Sequence, residues 1–294
     1  MIPRSLSLGL GEIENTVTLF FASALAAGSL SLLNLALQLM YLPSRIFGTT
    51  IGQASLPILS KNIARNELEI FRSTVQRTIL QSLYIALPIT TLILIHRVTI
   101  VRLAFGAKQF PWSATLLTAR LLAFLAPAII CQAVIQILIR SFYALHNTKT
   151  PLWVSAASLI ANISTSFYFI NYTQFGVTGL AISASIGNIV QCFGLLFLFV
   201  KQVDGFQWIT TLRRFLVILF CSIIMGAISW SSLKIFDLFI LDTSRTFSLA
   251  IVFITSSIIG LISYFISSSY FKVQEFNDYR HYFSKFTRFL LRRN

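Results

Sequence analysis

Long uninterrupted apolar runs are the feature that most constrains this chain. Residues 79–95 and 121–139, for example, contain no charged side chain. A run of about 18 or more predominantly apolar residues is long enough to cross a bilayer as a helix. The sequence therefore predicts an all-α, polytopic membrane protein.

The composition argues against a soluble protein. Hydrophobic residues make up 56% of the chain and charged residues only 11%, whereas a soluble domain carries about 25% charged residues. The net charge of +14 would suggest nucleic-acid binding in a soluble protein. In a membrane protein, however, lysine and arginine collect on cytoplasmic loops, and no nucleic-acid partner is expected.

The apolar pattern predicts about eight transmembrane helices. Their approximate bounds are 15–28, 29–59, 75–96, 113–144, 151–171, 177–200, 210–233 and 246–270. An even number of spans places both termini on one side of the membrane. Sixteen of the 23 lysines and arginines then share that side, and six lie on the other. By the positive-inside rule, both termini are predicted to be cytoplasmic.

Prolines interrupt the two longest predicted spans. Pro43 and Pro57 lie in the second span and Pro127 in the fourth, where proline removes a backbone donor and bends the helix. Bent helices often line the pathway of a transporter, although proline is also tolerated in membrane helices without a special role. Pro151 follows a short polar turn and is predicted to begin a span.

A polar stripe is predicted along the second span. Asn34, Gln38 and Arg45 are separated by four and seven residues, so they share one helical face over about 16 Å. Such a stripe could face a hydrated cavity that holds an anionic headgroup, because the arginine fork suits phosphate. It could instead bind helix to helix, or Arg45 could extend to the membrane interface.

Small residues in the same span predict a close helix contact. Gly48 and Gly52 form a small-xxx-small pattern, which allows another membrane helix to approach. The span thus combines a candidate polar face with a candidate packing face.

Signs of catalysis, metal binding or nucleotide binding are lacking. The three cysteines lie inside apolar runs, and the three histidines are scattered without ligand spacing. A phosphate-binding glycine loop and a cluster of catalytic side chains are also missing. The sequence predicts a protein that is not an enzyme and that needs neither a cofactor nor a metal.

Two segments outside the predicted spans combine basic and apolar residues. Residues 60–74 are predicted to form an amphipathic helix on the membrane surface. Residues 271–294 alternate aromatic and basic residues, so we expect a cytoplasmic tail that is attracted to anionic membrane lipids.

Several short motifs occur in the order and spacing of one transporter family. The chain resembles the MurJ/MviN family, part of the MOP exporter superfamily, over about 200 residues. The matching motifs are Leu42-Pro43, Phe47-Gly48, Leu56-Pro57-Ile58-Leu59-Ser60, Arg140-Ser141-Phe142-Tyr143-Ala144, Thr148-Lys149-Thr150-Pro151 and Gly179-Leu180-Ala181.

The resemblance implies a fold and a cargo. Members of the family have two six-helix lobes, often followed by two further helices. They flip lipid II, the undecaprenyl-diphosphate-linked peptidoglycan precursor, across the bacterial inner membrane. Residues 1–205 would then be the second lobe, residues 206–270 the two additional helices and residues 271–294 the tail.

The implied partners are lipid II or a related polyprenyl-diphosphate lipid, membrane lipids, and an N-terminal lobe that this sequence lacks. The alternatives are a flippase for another polyprenyl-linked oligosaccharide and a non-transporting scaffold in cell-wall synthesis. Because alternating access requires two repeats that move around a shared site, the chain alone is not expected to transport.

One position departs from the family. Gln38 stands where many members carry a cavity arginine on this helix. Arg45, two turns further along, is the candidate replacement.

Overall fold

A computed structural model describes residues 2–106, 110–239, 246–276 and 279, without the side chains of residues 2–8, 45, 237–239 and 246. The described residues form helices and no strands, so the all-α prediction is confirmed. The helices are α1 (Ile2–Ser23), α2 (Ser29–Pro43), α3 (Thr49–Ala64), α4 (Leu68–Phe105), α5 (Trp112–Ala144), α6 (Lys149–Tyr172), α7 (Val177–Gln202), α8 (Trp208–Phe239) and α9 (Thr246–Tyr270). A π-helical segment, Ser44–Gly48, joins α2 to α3.

Seven helices among the described residues are long and apolar enough to cross a membrane. They are the continuous helix Ser29–Ala64 and each of the helices from α4 to α9. The remaining helix, α1, begins well before the predicted first span and carries Glu12 and Glu14. Helix α1 is not among the helices whose length and hydropathy suffice to cross a membrane. Residues 24–28 after it form the turn that leads into α2.

The prediction of a surface helix at residues 60–74 is wrong. The chain ends α3 at Ala64, turns at Asn66 with a φ of 57°, and begins α4 at Leu68. Phe71 is fully buried, and its ring lies 6.2 Å from that of Phe199. The apolar residues of this stretch therefore include part of the protein core.

Helices α4 and α5 form the centre of the bundle. Helix α5 packs against α2, α3, α4 and α7, while α6 packs against α7 and α1. On the other side, α8 and α9 pack against each other and against α4. The pair α8–α9 is therefore attached to the remaining helices chiefly through α4.

Glycines allow α8 to approach α4 and α9 to approach α8. A Cβ atom on Gly226 of α8 would lie 2.8 Å from the Thr91 methyl group of α4. A Cβ atom on Gly260 of α9 would lie 3.0 Å from Cβ of Ser229 in α8. Small residues of this kind allow membrane helices to approach where lipid offers no hydrophobic driving force.

A buried polar cluster joins the same three helices. His96 of α4 is fully buried, and its Nε2 atom lies 3.0 Å from Oγ of Ser229 in α8. The Ser229 hydroxyl also donates to the Ser256 carbonyl of α9 at 3.2 Å. The His96 ring contacts the ring of Phe253 edge to face.

The chain reverses direction after α9 and packs back onto the bundle. Glu275 is 1% exposed, and its carboxylate accepts a hydrogen bond from Arg214 of α8 at 2.6 Å. The Tyr279 ring stacks on that of Tyr84 at 5.8 Å. Of the predicted tail, residues 277, 278 and 280–294 lie outside the described residues.

The helix type changes where the second span was predicted to bend. The π segment begins directly after Pro43, and the Thr49 N–H bonds to the Ser44 carbonyl five residues earlier. Helices α3 and α5 continue through Pro57 and Pro127. Pro151 lies in the first turn of α6, and the functional role of all four prolines remains a prediction.

Candidate functional site

A cavity of about 450 Å³ lies between α1, the continuous helix α2–α3, α5, α6 and α7. Its lining is unusually polar for a bundle of membrane helices. Seven carboxamides contribute to it, namely Asn15, Gln53, Gln132, Gln136, Asn162, Asn188 and Gln191. The charged residues of the lining are Glu12, Glu14 and Arg140.

An acidic region of the cavity lies halfway along α6. The Asn162 amide donates to Oε1 of Glu14 at 2.9 Å and so connects α6 to α1. Gly187 of α7 leaves room for this carboxylate, because a Cβ atom there would lie 2.8 Å from Oε1. Beside it, the Gln132 amide donates to Oδ1 of Asn188 and connects α5 to α7.

A cationic region lies nearer the C-terminal end of α5. Nη1 of Arg140 donates to the main-chain carbonyl of Gln136 at 2.7 Å and to its side-chain oxygen at 2.8 Å. The guanidinium lies directly over Gly52 of α3, where a Cβ atom would be 2.5 Å from Nη1. Arg140 is eight residues from Gln132, so these two residues lie about 12 Å apart along α5.

Hydrogen bonds also hold the helices around the cavity together. The Tyr41 hydroxyl of α2 donates to Oδ1 of Asn15 in α1 at 2.7 Å. The Gln191 amide of α7 donates to Oγ of Ser155 in α6 at 2.9 Å. Together with the Glu14–Asn162 contact, these bonds give the polar lining a defined geometry.

Among the described residues that line this cavity, Asn34 and Gln38 of the predicted polar stripe do not appear. Asn34 and Gln38 are exposed, whereas the neighbouring side chains of Leu33 and Leu37 are buried. The backbone of Arg45 lies in the π segment, whereas its side chain lies outside the described residues. A substrate-binding role for the three residues stays a prediction.

The two predicted packing glycines both face α5. A Cβ atom on Gly48 would lie 3.6 Å from Cα of Ala133, which is an ordinary contact distance. Gly52 lies against Arg140, as described above. The glycines therefore occupy one side of the continuous helix α2–α3, and Asn34 and Gln38 mark an exposed face of its first half.

The residues that sequence reasoning missed form a regular pattern on α5. Gln132, Gln136 and Arg140 are separated by four residues each, so they share one helical face. The same spacing rule that selected the stripe on α2 could have found them. Arg140 was counted among the sixteen cytoplasmic charges and used in a family motif, but it was not considered as a cavity residue.

Metal-ligand chemistry is not assembled around the cavity. Within the described part of the chain, no three histidine, cysteine or acidic side chains gather in a group that could hold a metal ion. Cys221 is buried, and Cys131 and Cys192 are partly buried as free thiols.

The chain matches a known family over most of its length. The family model described as "Lipid II flippase MurJ" matches residues 1–245. A probable lipid II flippase MurJ from Bdellovibrio bacteriovorus is 28% identical over 265 residues, covering 90% of this chain and 49% of the relative. The chain spans about half the length of the curated relatives it matches.

Solved structures show the same fold. A lipid II flippase MurJ in an inward closed conformation superposes with a TM-score of 0.75 at 23% identity, covering 90% of this chain and 52% of that one. An outward-facing multidrug resistance MATE family transporter of the MOP superfamily superposes with a TM-score of 0.61 at 17% identity, covering 91% and 63%.

Proposed function

Because the chain belongs to the MurJ lipid II flippase family, we propose that it forms one lobe and two further helices of a transporter that flips lipid II across the bacterial inner membrane. Membership and the seven apolar helices make it a multi-pass membrane protein. The family is named for transport and not for an enzymatic reaction.

The polar cavity is the observation that carries this proposal. Polar and ionisable side chains at membrane depth are costly unless they face a cavity or a partner. Here seven carboxamides and three charged residues surround one space of about 450 Å³. Such a lining suits the sugar and peptide groups of a lipid-linked precursor, which carry many hydrogen-bonding groups.

The proposed transporter needs a second lobe. Alternating access moves two repeats around a shared site, and the described helices provide one of them. We propose that the exposed face marked by Asn34 and Gln38, together with Arg45, faces an N-terminal lobe on the same polypeptide or on another. Residues 1–205 would form the lobe described here and residues 206–270 the additional pair.

The orientation of the chain follows from its charges. Lysine and arginine are concentrated on the side of the membrane that holds both termini in the proposed topology. By the positive-inside rule this side is cytoplasmic. The end of α5 that carries Arg140 would then lie near the cytoplasmic surface.

A transport assay in bacterial cells tests the proposal. Cells depleted of their own flippase would produce this chain alone or with the N-terminal lobe of a MurJ relative. Lipid II at the outer face would be measured by its cleavage with an enzyme added outside the cells. We expect cleavage of lipid II only when both lobes are present. As a control, a Ser231→Ala variant of this chain should give as much cleavage as the wild type, because the exposed Ser231 hydroxyl donates to the Ala227 carbonyl of its own helix.

Two results would count against the proposal. The two-lobe assembly could be present in the membrane and leave lipid II uncleaved, while another polyprenyl-linked oligosaccharide reaches the outer face. The cargo would then be that oligosaccharide and not lipid II. If the chain alone restores growth while lipid II stays inside, a scaffold role replaces transport.

A further inference from the structure

We propose that Cys131 of α5 and Cys192 of α7 form a redox-sensitive pair of thiols, which a small uncharged peroxide oxidises to a disulfide bond between the two helices. Both cysteines are free thiols, and both are partly buried. The proposal does not depend on the cargo of the transporter, since it concerns covalent chemistry of the lobe itself.

The two thiols are neighbours in space. Cys131 and Cys192 lie within hydrogen-bonding reach of each other, so their sulfur atoms meet across the interface between α5 and α7. The third cysteine of the chain, Cys221, is buried on α8. Two of the three cysteines are therefore placed side by side, although they lie far apart in the sequence.

The packing of α7 on α5 explains why these thiols meet. The Ser185 hydroxyl of α7 donates to the Phe124 carbonyl of α5 at 2.6 Å. Cys192 follows Ser185 by seven residues, and Cys131 follows Phe124 by seven. Seven residues are about two helical turns, so the same faces of the two helices meet again at the cysteines. A short serine side chain reaches the backbone of the other helix only if the two backbones run close together, as a disulfide also requires.

The depth of the pair selects the kind of oxidant. Cys131 lies 13 residues before the end of α5 at Ala144, about 20 Å along the helix, and so well inside the predicted span. A charged oxidant such as glutathione disulfide enters an apolar region only at a large cost in solvation free energy. A small uncharged peroxide can enter it, and the partial exposure of both cysteines leaves their sulfur atoms open to such a molecule.

One molecule of hydrogen peroxide balances the oxidation. The thiolate of one cysteine attacks a peroxide oxygen, so the O–O bond breaks, a sulfenic acid forms and a first water is released. The second sulfur then displaces the sulfenic oxygen, so the S–S bond forms, the S–O bond breaks and a second water is released. The two sulfurs lose one electron each, the peroxide gains both electrons, and both thiol protons end in water.

The disulfide would join the two helices beside the polar cavity. Gln132 of α5 and Gln191 of α7 both line that cavity, and each is the sequence neighbour of one of the cysteines. A covalent bond at this point would limit any movement of α5 relative to α7. Oxidation would therefore fix one part of the cavity wall.

Counting free thiols on the purified full chain in lipid nanodiscs tests the proposal. The folded chain is treated with hydrogen peroxide, the peroxide is removed, and the chain is unfolded in detergent and labelled with a maleimide. The mass of the intact chain then gives the number of labels. The wild type has three cysteines, so we expect three labels before oxidation, one after it, and three again when the unfolded chain is reduced before labelling. Glutathione disulfide should leave all three thiols free.

Serine variants identify the two cysteines that pair. Cys221→Ser is the matched control, because it removes the cysteine on α8, and its label count should fall from two to zero. Cys131→Ser and Cys192→Ser each keep only one thiol of the pair, so both should retain two labels after the same treatment. Serine is close to cysteine in size, and the thermal unfolding midpoint of each variant checks that it is folded.

The inference is overturned if the folded wild type keeps three labels after peroxide treatment. It is also overturned if folded Cys131→Ser or Cys192→Ser loses labels as readily as the wild type, or if the oxidised wild type has gained oxygen atoms in place of losing two hydrogens. A disulfide that joins two copies of the chain, visible as a dimer on a non-reducing gel, would count against it as well. None of these results bears on the proposed function, which depends on lipid II cleavage outside cells.

Discussion

The buried contact between His96 and Ser229 gives a quantitative prediction about how the helix pair α8–α9 is attached. The contact joins α4 to α8 at 3.0 Å, and His96 is fully buried. Hydrogen bonds between membrane helices contribute about 0.6 kcal/mol on average and about 1.7 kcal/mol at most. We therefore expect the changes His96→Leu and Ser229→Ala to be coupled by about 0.6–1.7 kcal/mol.

The two single changes should each be costly. Without His96, Ser229 still donates to the Ser256 carbonyl, and without Ser229, His96 Nε2 still lies 3.5 Å from Oγ of Ser256. Each change should therefore cost about 0.5–1.5 kcal/mol, the contribution of one hydrogen bond. Leucine in place of His96 retains an apolar contact with the ring of Phe253. The double variant should then be more stable than the sum of the single losses predicts, because the bond between His96 and Ser229 is lost in both single variants but only once in the double variant.

Reversible unfolding in mixed micelles, measured for the wild type, both single variants and the double variant, yields the coupling free energy. The control pairs His96→Leu with Ser231→Ala, since the Ser231 hydroxyl is exposed and bonds to the Ala227 carbonyl of its own helix. That pair should be additive within about 0.5 kcal/mol. A His96–Ser229 coupling no larger than this control would refute the contact as a link between α4 and α8.

Two further predictions concern other helix contacts. Gly226→Val should destabilise the packing of α8 on α4 by about 1–3 kcal/mol, because its Cβ would lie 2.8 Å from the Thr91 methyl group; an unchanged unfolding midpoint would contradict this. Asn162→Ala removes the donor to Glu14 and should cost about 1.5–3 kcal/mol. Asn171→Ala on the same helix should have almost no effect, because Asn171 is exposed and bonds within α6; equal losses in the two variants would show that the contact with Glu14 contributes nothing.

The membrane spans were the part of the fold that the sequence predicted well. A run of apolar residues is a local property, and each predicted span from 75–96 onward lies within or close to one observed helix. The helices are often longer, as for α4, which covers Leu68–Phe105. Hydropathy detects the part of a helix inside the hydrocarbon region, whereas backbone hydrogen bonding continues beyond it.

The prediction for residues 60–74 failed because amphipathicity does not identify the apolar partner. Phe71 could have faced lipid or protein, and its contact with Phe199 arises between residues 128 positions apart. Pairings over such separations depend on the packed bundle and leave no signal in the local pattern.

The cavity was missed for a related reason. Glu14, Asn162 and Asn188 lie on three different helices, and each one alone is a single polar residue in a mainly apolar segment. Only the packing of α1, α6 and α7 brings them to one space. The spacing of Gln132, Gln136 and Arg140 was visible in the sequence, but charge counting assigned Arg140 to the cytoplasmic surface.

The π segment after Pro43 also affects how this chain should be aligned with its relatives. A π turn bonds each N–H to a carbonyl five residues earlier, so it holds one residue more than the matching α turn. A relative with an uninterrupted α-helix here would align correctly only with a one-residue gap within residues 44–48. An alignment without that gap would be out of register by one position on one side of the π segment. One position corresponds to about 100° of helix rotation. If Gln38 is matched correctly, Gly52 would then be matched to a residue on another face of the helix, so equivalences drawn for Gln38 and Gly52 could not both be correct.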